Sequence, residues 1–158
     1  MRITDQYFWN VVFSIFFIAL IAMEAIVLEG AGYKSVRDVT LFDIFLISLA
    51  TFRAIRLFMY DKVTAFFREQ FWDAKETKTK VILVKPDGGP RRTIADLMSC
   101  PWCFGLWAGA SLTFFYFLTP YAFYLTLFLA ISAIASMLQI LANMFGWRAE
   151  QLKKDVEQ

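Results

Sequence analysis

Two cysteines form the sharpest chemical signal in the sequence, within the motif Cys100-Pro101-Trp102-Cys103. Because proline is favoured in the first turn of a helix, the motif predicts a helix start, with Cys100 at the N-cap and Cys103 one turn further on. Free amides and the helix dipole stabilise a thiolate at such a position, as in redox dithiols. The same pair is also half of a four-thiolate zinc or iron–sulfur site. The simplest interpretation is a cap, a helix-starting proline and a packed thiol.

The composition limits what these thiols can do. The chain has two cysteines and no histidine, so the commonest general base and the commonest nitrogen ligand for metals are both absent. A zinc or iron–sulfur site would need carboxylates or a second subunit to complete it. No βαβ pattern precedes the motif, as a thioredoxin-like enzyme requires. We therefore expect no cofactor and assign no catalytic residue.

Ionisable residues within otherwise apolar segments are the next candidates. They are Glu24, Asp43, Arg53 and Arg56. Such groups cost several kcal/mol in hydrocarbon unless they are paired, hydrated or able to reach the interface. Acids toward one end and arginines toward the other would fit a proton or ion path. We favour a simpler interpretation, in which Asp43 caps a helix, Lys34 or Arg37 neutralises an acid, and the arginines extend toward lipid headgroups.

Small residues mark two helix faces suited to close packing. Gly105 and Gly109 form a Gly-x-x-x-Gly pattern, and Ser132 and Ser136 mark a comparable face nearer the C-terminus. Small residues allow membrane helices to approach closely. We expect these two faces to pack against each other within one chain, with self-association as the alternative.

The segments that position these residues are long and apolar. Apolar residues make up 59% of the 158-residue chain, and aromatic residues 18%. The long segments are apolar all round, unlike the helices of soluble proteins, and an apolar stretch of about 20 residues can cross a bilayer. Four spans are predicted, at about residues 8–28, 41–59, 102–118 and 121–145.

The segment between the second and third spans, residues 60–99, is charged; we call it the middle segment. Clustered aromatics within 61–72 predict an amphipathic interfacial helix. Residues 81–84, followed by the breaker run 85–90, predict a hairpin or an extended loop, and a helix start is expected at Thr93. Four basic side chains are candidates for contact with anionic lipid: Lys62, Arg68, Arg91 and Arg92.

The basic residues also predict an orientation. Residues 62–92 contain eight lysines and arginines, whereas the loops on the other side of the predicted spans carry only Lys34 and Arg37. The positive-inside rule therefore places both termini and the middle segment in the cytoplasm. The net charge of +2 is too small to indicate a nucleic-acid-binding protein.

Together these features predict an all-α fold, an integral membrane four-helix bundle with a cytoplasmic amphipathic or hairpin segment between spans two and three. We expect one membrane domain over residues 1–158, ending in a charged tail at 148–158. The favoured function is a non-enzymatic membrane component that assembles with itself or with a partner protein. The alternatives are a thiol-redox or metal-binding membrane protein that uses Cys100 and Cys103, and a pore-forming, holin-like phage protein.

Several of these residues also fit one known pattern. In order, they are Arg53-x-x-Arg56-Leu57, Asp61-x-Val63-Thr64, Arg68 and Cys100-Pro101-Trp102-Cys103-x-Gly105-x-Trp107. This order resembles the bacterial membrane-protein family catalogued as domain of unknown function 1360, and the likeness covers residues 47–110. The resemblance implies a membrane protein of bacterial or phage origin. It implies no mechanism, because no biochemical activity is assigned to the family.

Overall fold

Helices account for most of the structure, a computed structural model that describes residues 3–31, 33–77 and 80–156. In chain order they are α1 Ile3–Ala31, α2 Leu41–Met59, α3 Ala65–Glu69, α4 Pro90–Leu97, α5 Pro101–Leu118 and α6 Ala122–Val156. Short 3-10 turns lie at Val36–Asp38 and Lys62–Thr64. Strands β1 Asp73–Thr77 and β2 Lys80–Val84 form an antiparallel hairpin in which Asp73 is opposite Val84.

The helical class predicted from the sequence is confirmed, and each predicted span coincides with a helix. Within the described residues, three helices are long and apolar enough to cross a membrane, over Gln6–Ala31, Pro101–Leu118 and Ala122–Asp155. The second predicted span, α2, differs from these because its 19 residues include Asp43, Arg53 and Arg56.

The charged helix α2 lies at the centre of the fold, against both α5 and α6. Its buried side chains include Leu46, Ala50 and Ala54. Leu46 belongs to a core cluster with Tyr116 and Phe117 of α5 and Ala130 of α6. The core is therefore small and is built around α2, whereas α1 packs on the outside against α4 and α5.

The two small-residue faces pack differently from our expectation that they would meet each other. A Cβ atom on Gly105 would lie 3.0 Å from the Cδ1 atom of Ile55, and one on Gly109 would lie 3.6 Å from the Cγ2 atom of Thr51. Both glycines of α5 therefore face α2. The residues of α2 that they meet, Thr51 and Ile55, have the same four-residue spacing as the glycines, so one face of each helix packs on the other.

Three boundaries also differ from the sequence predictions. The interfacial helix is only five residues long, Ala65–Glu69. The α4 helix begins at Pro90 rather than Thr93, because proline suits the first turn and Gly89 takes the left-handed φ of +85° that precedes it. The last helix runs past residue 145 to Val156, since the charged tail contains good helix formers and no proline.

Candidate functional site

An ion pair joins the C-terminal half of α2 to the turn that follows it. The Nη1 atom of Arg53 lies 3.0 Å from a carboxylate oxygen of Asp61. The Nε atom of Arg53 also donates a 2.8 Å hydrogen bond to the Ser132 hydroxyl of α6. Arg53 is thus neutralised and bound to a second helix, rather than extended toward headgroups as we expected.

Two further residues of the family pattern, Thr64 and Arg68, cap the C-terminal end of α2. The hydroxyl of Thr64 donates to the carbonyl oxygen of Leu57. The Nη1 atom of Arg68 donates to the carbonyl oxygens of Phe58 and Met59, at 3.2 and 2.6 Å. The last carbonyls of a helix lack partners within the helix. Thr64 and Arg68 therefore supply the missing donors, and these hydrogen bonds stabilise the turn that follows α2.

Arg56 lies near this ion pair but is bonded differently. Its guanidinium carbon lies 5.6 Å from the centroid of the Tyr60 ring. Within the described part of the chain, no side chain or carbonyl accepts a hydrogen bond from Arg56. The side chain lines an open groove of about 470 Å³ between α2 and α6. The polar residues of that groove are Arg53, Arg56, Asp61, Ser132, Ser136, Gln139 and Asn143.

A second buried polar cluster lies at the opposite end of α2, around Asp43, which is 3% exposed. Its carboxylate accepts hydrogen bonds from the amide and hydroxyl of Thr40, at 2.9 and 2.8 Å. The Nζ atom of Lys34 lies 2.5 Å away and the hydroxyl of Tyr116 2.6 Å away. The predicted cap by Asp43 and its neutralisation by Lys34 are therefore confirmed, and Tyr116 is a partner that the sequence did not reveal.

The other predicted acid, Glu24, does not join this cluster. It lies half-buried on α1, and within residues 3–31, 33–77 and 80–156 it forms no ion pair or side-chain hydrogen bond. Between Asp43 and Arg53, the buried residues of α2 are Leu46 and Ala50. The buried face of α2 between its two charged ends is thus apolar, which does not favour an ion path along this face.

The cysteine pair opens α5 as the motif predicted. Cys100 is the N-cap residue, and its sulfur accepts a 3.2 Å hydrogen bond from the amide of Cys103. Hydrogen bonds from the thiol and the amide of Cys103 lower the pKa of the Cys100 thiol. Both cysteines are free thiols, with Cys100 half-buried and Cys103 exposed.

These thiols line a cavity of about 550 Å³ between α1, α4 and α5. Its polar residues include Asn10, Thr93 and Asp96. Beside the cavity, the side-chain amide of Gln6 on α1 donates a 2.9 Å hydrogen bond to the hydroxyl of Thr93 on α4. This bond joins the two helices. Among the described residues, no group of three cysteine, aspartate or glutamate side chains is placed to hold a metal ion.

The basic residues of the middle segment mostly bind within the chain. Asp96 of α4 accepts from Lys85 at 2.7 Å and from Arg92 at 2.9 Å. Burial raises the pKa of Asp96, but the hydrogen bonds from Lys85 and Arg92 outweigh it and hold that pKa below its ordinary value. Arg91 lies 3.2 Å from Asp73 of β1.

Three of the four basic residues predicted to contact lipid also bind groups within the chain, and their contact with lipid stays a prediction. Arg68 caps α2, while Arg91 and Arg92 bind the acids of the hairpin and of α4. Lys62 remains exposed. The sequence showed the basic charge of the middle segment, but not that Asp73 and Asp96 would lie beside it.

Large apolar residues are exposed on several sides of α6, including Met144 and Trp147, and six of them form a regular stripe along the helix. They are Ile131, Ile134, Leu138, Leu141, Phe145 and Leu152, and we call them the α6 stripe. Their spacings alternate between three and four residues up to Phe145 and continue with seven to Leu152, as in a heptad repeat. The face of α6 that packs toward the core instead buries Thr126, Ala130 and Ala133. The repeat is visible in the sequence, but only the structure shows that it is left uncovered.

Comparison with known proteins gives one family and two relatives. The model of a family described as protein of unknown function (DUF1360) matches residues 46–142. The sporulation protein YjcA of Bacillus subtilis strain 168 is 35% identical over 106 residues, which cover 63% of this chain and 90% of that protein. The UPF0713 protein YngL of the same strain is 29% identical over 92 residues, 58% of this chain and 71% of that protein. No solved structure matches the chain.

Proposed function

The chain belongs to the DUF1360 family, and we propose that it acts as a non-enzymatic, self-assembling component of the bacterial cytoplasmic membrane. In this proposal α1, α2, α5 and α6 span the bilayer, with both termini and the middle segment in the cytoplasm. The ion pairs support the placement of α2. Asp43 is neutralised by Lys34 and Arg53 by Asp61, which reduces the cost of their charges in a bilayer.

The observation that carries self-assembly is the length and exposure of α6. Its 35 residues extend for about 52 Å at 1.5 Å per residue, well beyond a hydrocarbon core of about 30 Å. The stretch from Ala122 to Asn143 alone covers about 32 Å, so Phe145 and Leu152 fall outside the core. These two side chains are 66% and 62% exposed in the single chain.

A second copy of the chain is the occupant that fits the α6 stripe best. Copies in one membrane share one orientation, so their α6 helices run parallel and present the same stripe to each other. Apolar residues in a heptad repeat form the seam of a left-handed coiled coil. Ala142 and Ala149 lie beside the stripe at seven-residue spacing, and these small residues permit close approach.

Cysteine cross-linking in membranes tests this arrangement. In a background with C100S and C103S, the variant L152C should form a disulfide-linked dimer, because the two Leu152 positions face each other across a parallel seam. The matched control is K154C, which lies about 200° around the helix from residue 152. Equal cross-linking of the two variants, or none of L152C, would contradict the proposal.

The mass of the purified protein in mild detergent gives an independent test. We expect a dimer or larger assembly for the natural chain and a shift to monomer for L152E, which places a charge on the stripe. K154Q changes the net charge by the same amount on the other side of α6 and should leave the assembly intact. A monomer at every concentration of the natural chain would contradict self-assembly.

The cysteine pair supports a second candidate, thiol–disulfide exchange with a partner. The Cys100 thiolate would attack a partner disulfide, and the Cys103 thiolate would then resolve the mixed disulfide, oxidising the pair and releasing the partner as a dithiol. The observation that favours this reaction is the position of Cys100 at the N-cap of α5, where its sulfur accepts a 3.2 Å hydrogen bond from the Cys103 amide, a contact that also lowers the pKa of the thiol. Alkylation of Cys100 across pH tests it, because C103A should move the midpoint upward. An unchanged midpoint in C103A would contradict this role.

A further inference from the structure

Arg56 differs from the other arginines described around the end of α2, because its guanidinium donates no hydrogen bond to any described residue. Arg53 has Asp61 and Ser132, and Arg68 has the carbonyls of Phe58 and Met59. Arg56 has the face of Tyr60, while its hydrogen-bond donors are unused among the described residues. Partial burial of a guanidinium without a hydrogen-bond acceptor costs free energy, because its donors lose water. The planar set of donors also fits the oxygens of a phosphate group.

The groove around Arg56 carries one unbalanced positive charge. Its charged residues are Arg53, Arg56 and Asp61, and Asp61 is paired with Arg53. Facing them on α6, Gln139 donates a 3.0 Å hydrogen bond to the Oδ1 atom of Asn143. That bond leaves the amide nitrogen of Asn143 available as a donor. The groove therefore offers a guanidinium and a neutral amide to one anion.

The position of the groove along α6 indicates where that anion would come from. Gln139 and Asn143 lie 17 and 21 residues after the start of α6 at Ala122, which corresponds to about 26 and 32 Å along the axis. In the proposed topology this is the cytoplasmic boundary of the hydrocarbon core. Ala135 and Ile140 also line the groove and offer an apolar wall toward the membrane interior.

We propose that this groove binds the phosphate group of an anionic phospholipid from the cytoplasmic leaflet. Arg56 makes the charged contact, Asn143 donates a hydrogen bond, and an acyl chain lies along Ala135 and Ile140. The proposal rests on the membrane placement given above, but it does not depend on self-assembly. A free phosphate ion shares the same chemistry, so the experiment has to separate the two sources.

Native mass spectrometry of the full chain, released from detergent, provides the test. The protein is incubated with phosphatidylglycerol, with phosphatidylcholine or with inorganic phosphate alone, and the bound adducts are counted. We expect retained phosphatidylglycerol, with roughly tenfold or greater loss of affinity in R56Q, because charge-assisted hydrogen bonds are strong. R56K keeps the charge but loses the planar arrangement of donors, so its affinity for phosphatidylglycerol should lie between those of the natural chain and R56Q. The control K75Q removes an exposed charge of the hairpin, outside the groove, and should bind like the natural chain.

Each result bears on the proposal. Equal retention of phosphatidylglycerol by the natural chain and R56Q would overturn the site, as would equal loss in K75Q. Equal retention of the zwitterionic phosphatidylcholine would overturn its preference for an anionic lipid. Binding of inorganic phosphate without any lipid adduct would overturn the lipid source. The same spectra report the oligomeric mass, so a dimer without lipid contradicts only this inference, and a lipid-bound monomer contradicts only self-assembly.

Discussion

The hydroxyl of Tyr116 on α5 donates a 2.6 Å hydrogen bond to the carboxylate of Asp43 on α2, between residues 73 positions apart in the chain. Asp43 also accepts from the amide and hydroxyl of Thr40, which begin the same helix. One carboxylate therefore caps α2 and joins it to α5. Because it is almost fully buried, loss of any of its partners leaves charge or polar atoms unsatisfied.

We expect Y116F to lower the free energy of unfolding by roughly 1 to 3 kcal/mol, the usual cost of losing a hydrogen bond to a buried charge. Unfolding in mixed micelles by a denaturing detergent measures this change. The control is Y124F, since Tyr124 lines the same surface pocket as Asp43 and Tyr116 but is 71% exposed. A similar loss in both variants would mean that the Asp43 bond contributes nothing specific.

Removing Arg68 should loosen the last turn of α2. In R68Q the carbonyls of Phe58 and Met59 lose a charged donor, so we expect destabilisation of about 1 to 3 kcal/mol. Hydrogen exchange should become faster in the amides near residue 60. K62Q, an exposed substitution nearby, is the control. Unchanged exchange in R68Q would show that Thr64 alone suffices as the cap.

The stability of α4 against local opening should depend on pH, because Asp96 joins this helix to Lys85 by an ion pair. Lys85 and Arg92 hold the pKa of Asp96 below its ordinary value, so the unfolded form binds the proton more tightly. The stabilisation is therefore complete above the unfolded pKa of about 3.9 and is lost as the pH falls through the lower folded value. Hydrogen exchange of residues 85–97, corrected for intrinsic rates, should show this opening in the natural chain. D96N should show no such transition, and an opening between pH 7 and pH 5 would contradict the assignment.

The two glycines of α5 should respond differently to alanine. G109A meets only ordinary contact with Thr51 at 3.6 Å, so the helix-forming advantage of alanine should stabilise the protein by about 0.5 to 1 kcal/mol. G105A places its Cβ atom 3.0 Å from the Cδ1 atom of Ile55 and should gain less or lose stability. Adding I55V removes that atom, so the penalty of G105A should be smaller in the I55V background. Equal effects of G105A with and without I55V would contradict this packing.

Local signals predicted the starts of two helices, because their causes lie within a few residues. Thr40 and Asp43 form the capping box expected of their spacing. Cys100 and Pro101 begin α5 as a cap followed by a first-turn proline. The helical class followed from segment length and apolar composition in the same way.

Contacts between residues that are far apart in the chain could not be predicted from such local signals. The pattern of Gly105 and Gly109 indicates a close helix approach, but not that α2 would be the partner. Similarly, the sequence shows the positive charge of Arg91, from which we predicted contact with lipid. It does not show that the hairpin brings Asp73 within 3.2 Å of Arg91. The hairpin itself was partly hidden, because β1 has the polar sequence DAKET with no apolar alternation.

The central position of α2 imposes an order on biosynthesis. Asp43 meets Tyr116 and Arg53 meets Ser132 only after a further 73 and 79 residues have been made. At about 5 to 20 residues per second, the ribosome needs roughly 4 to 16 s for that length. In the proposed membrane topology, α2 would therefore remain without these partners until α5 and α6 have been made. The packing of α2 is thus completed only when α6 has been made.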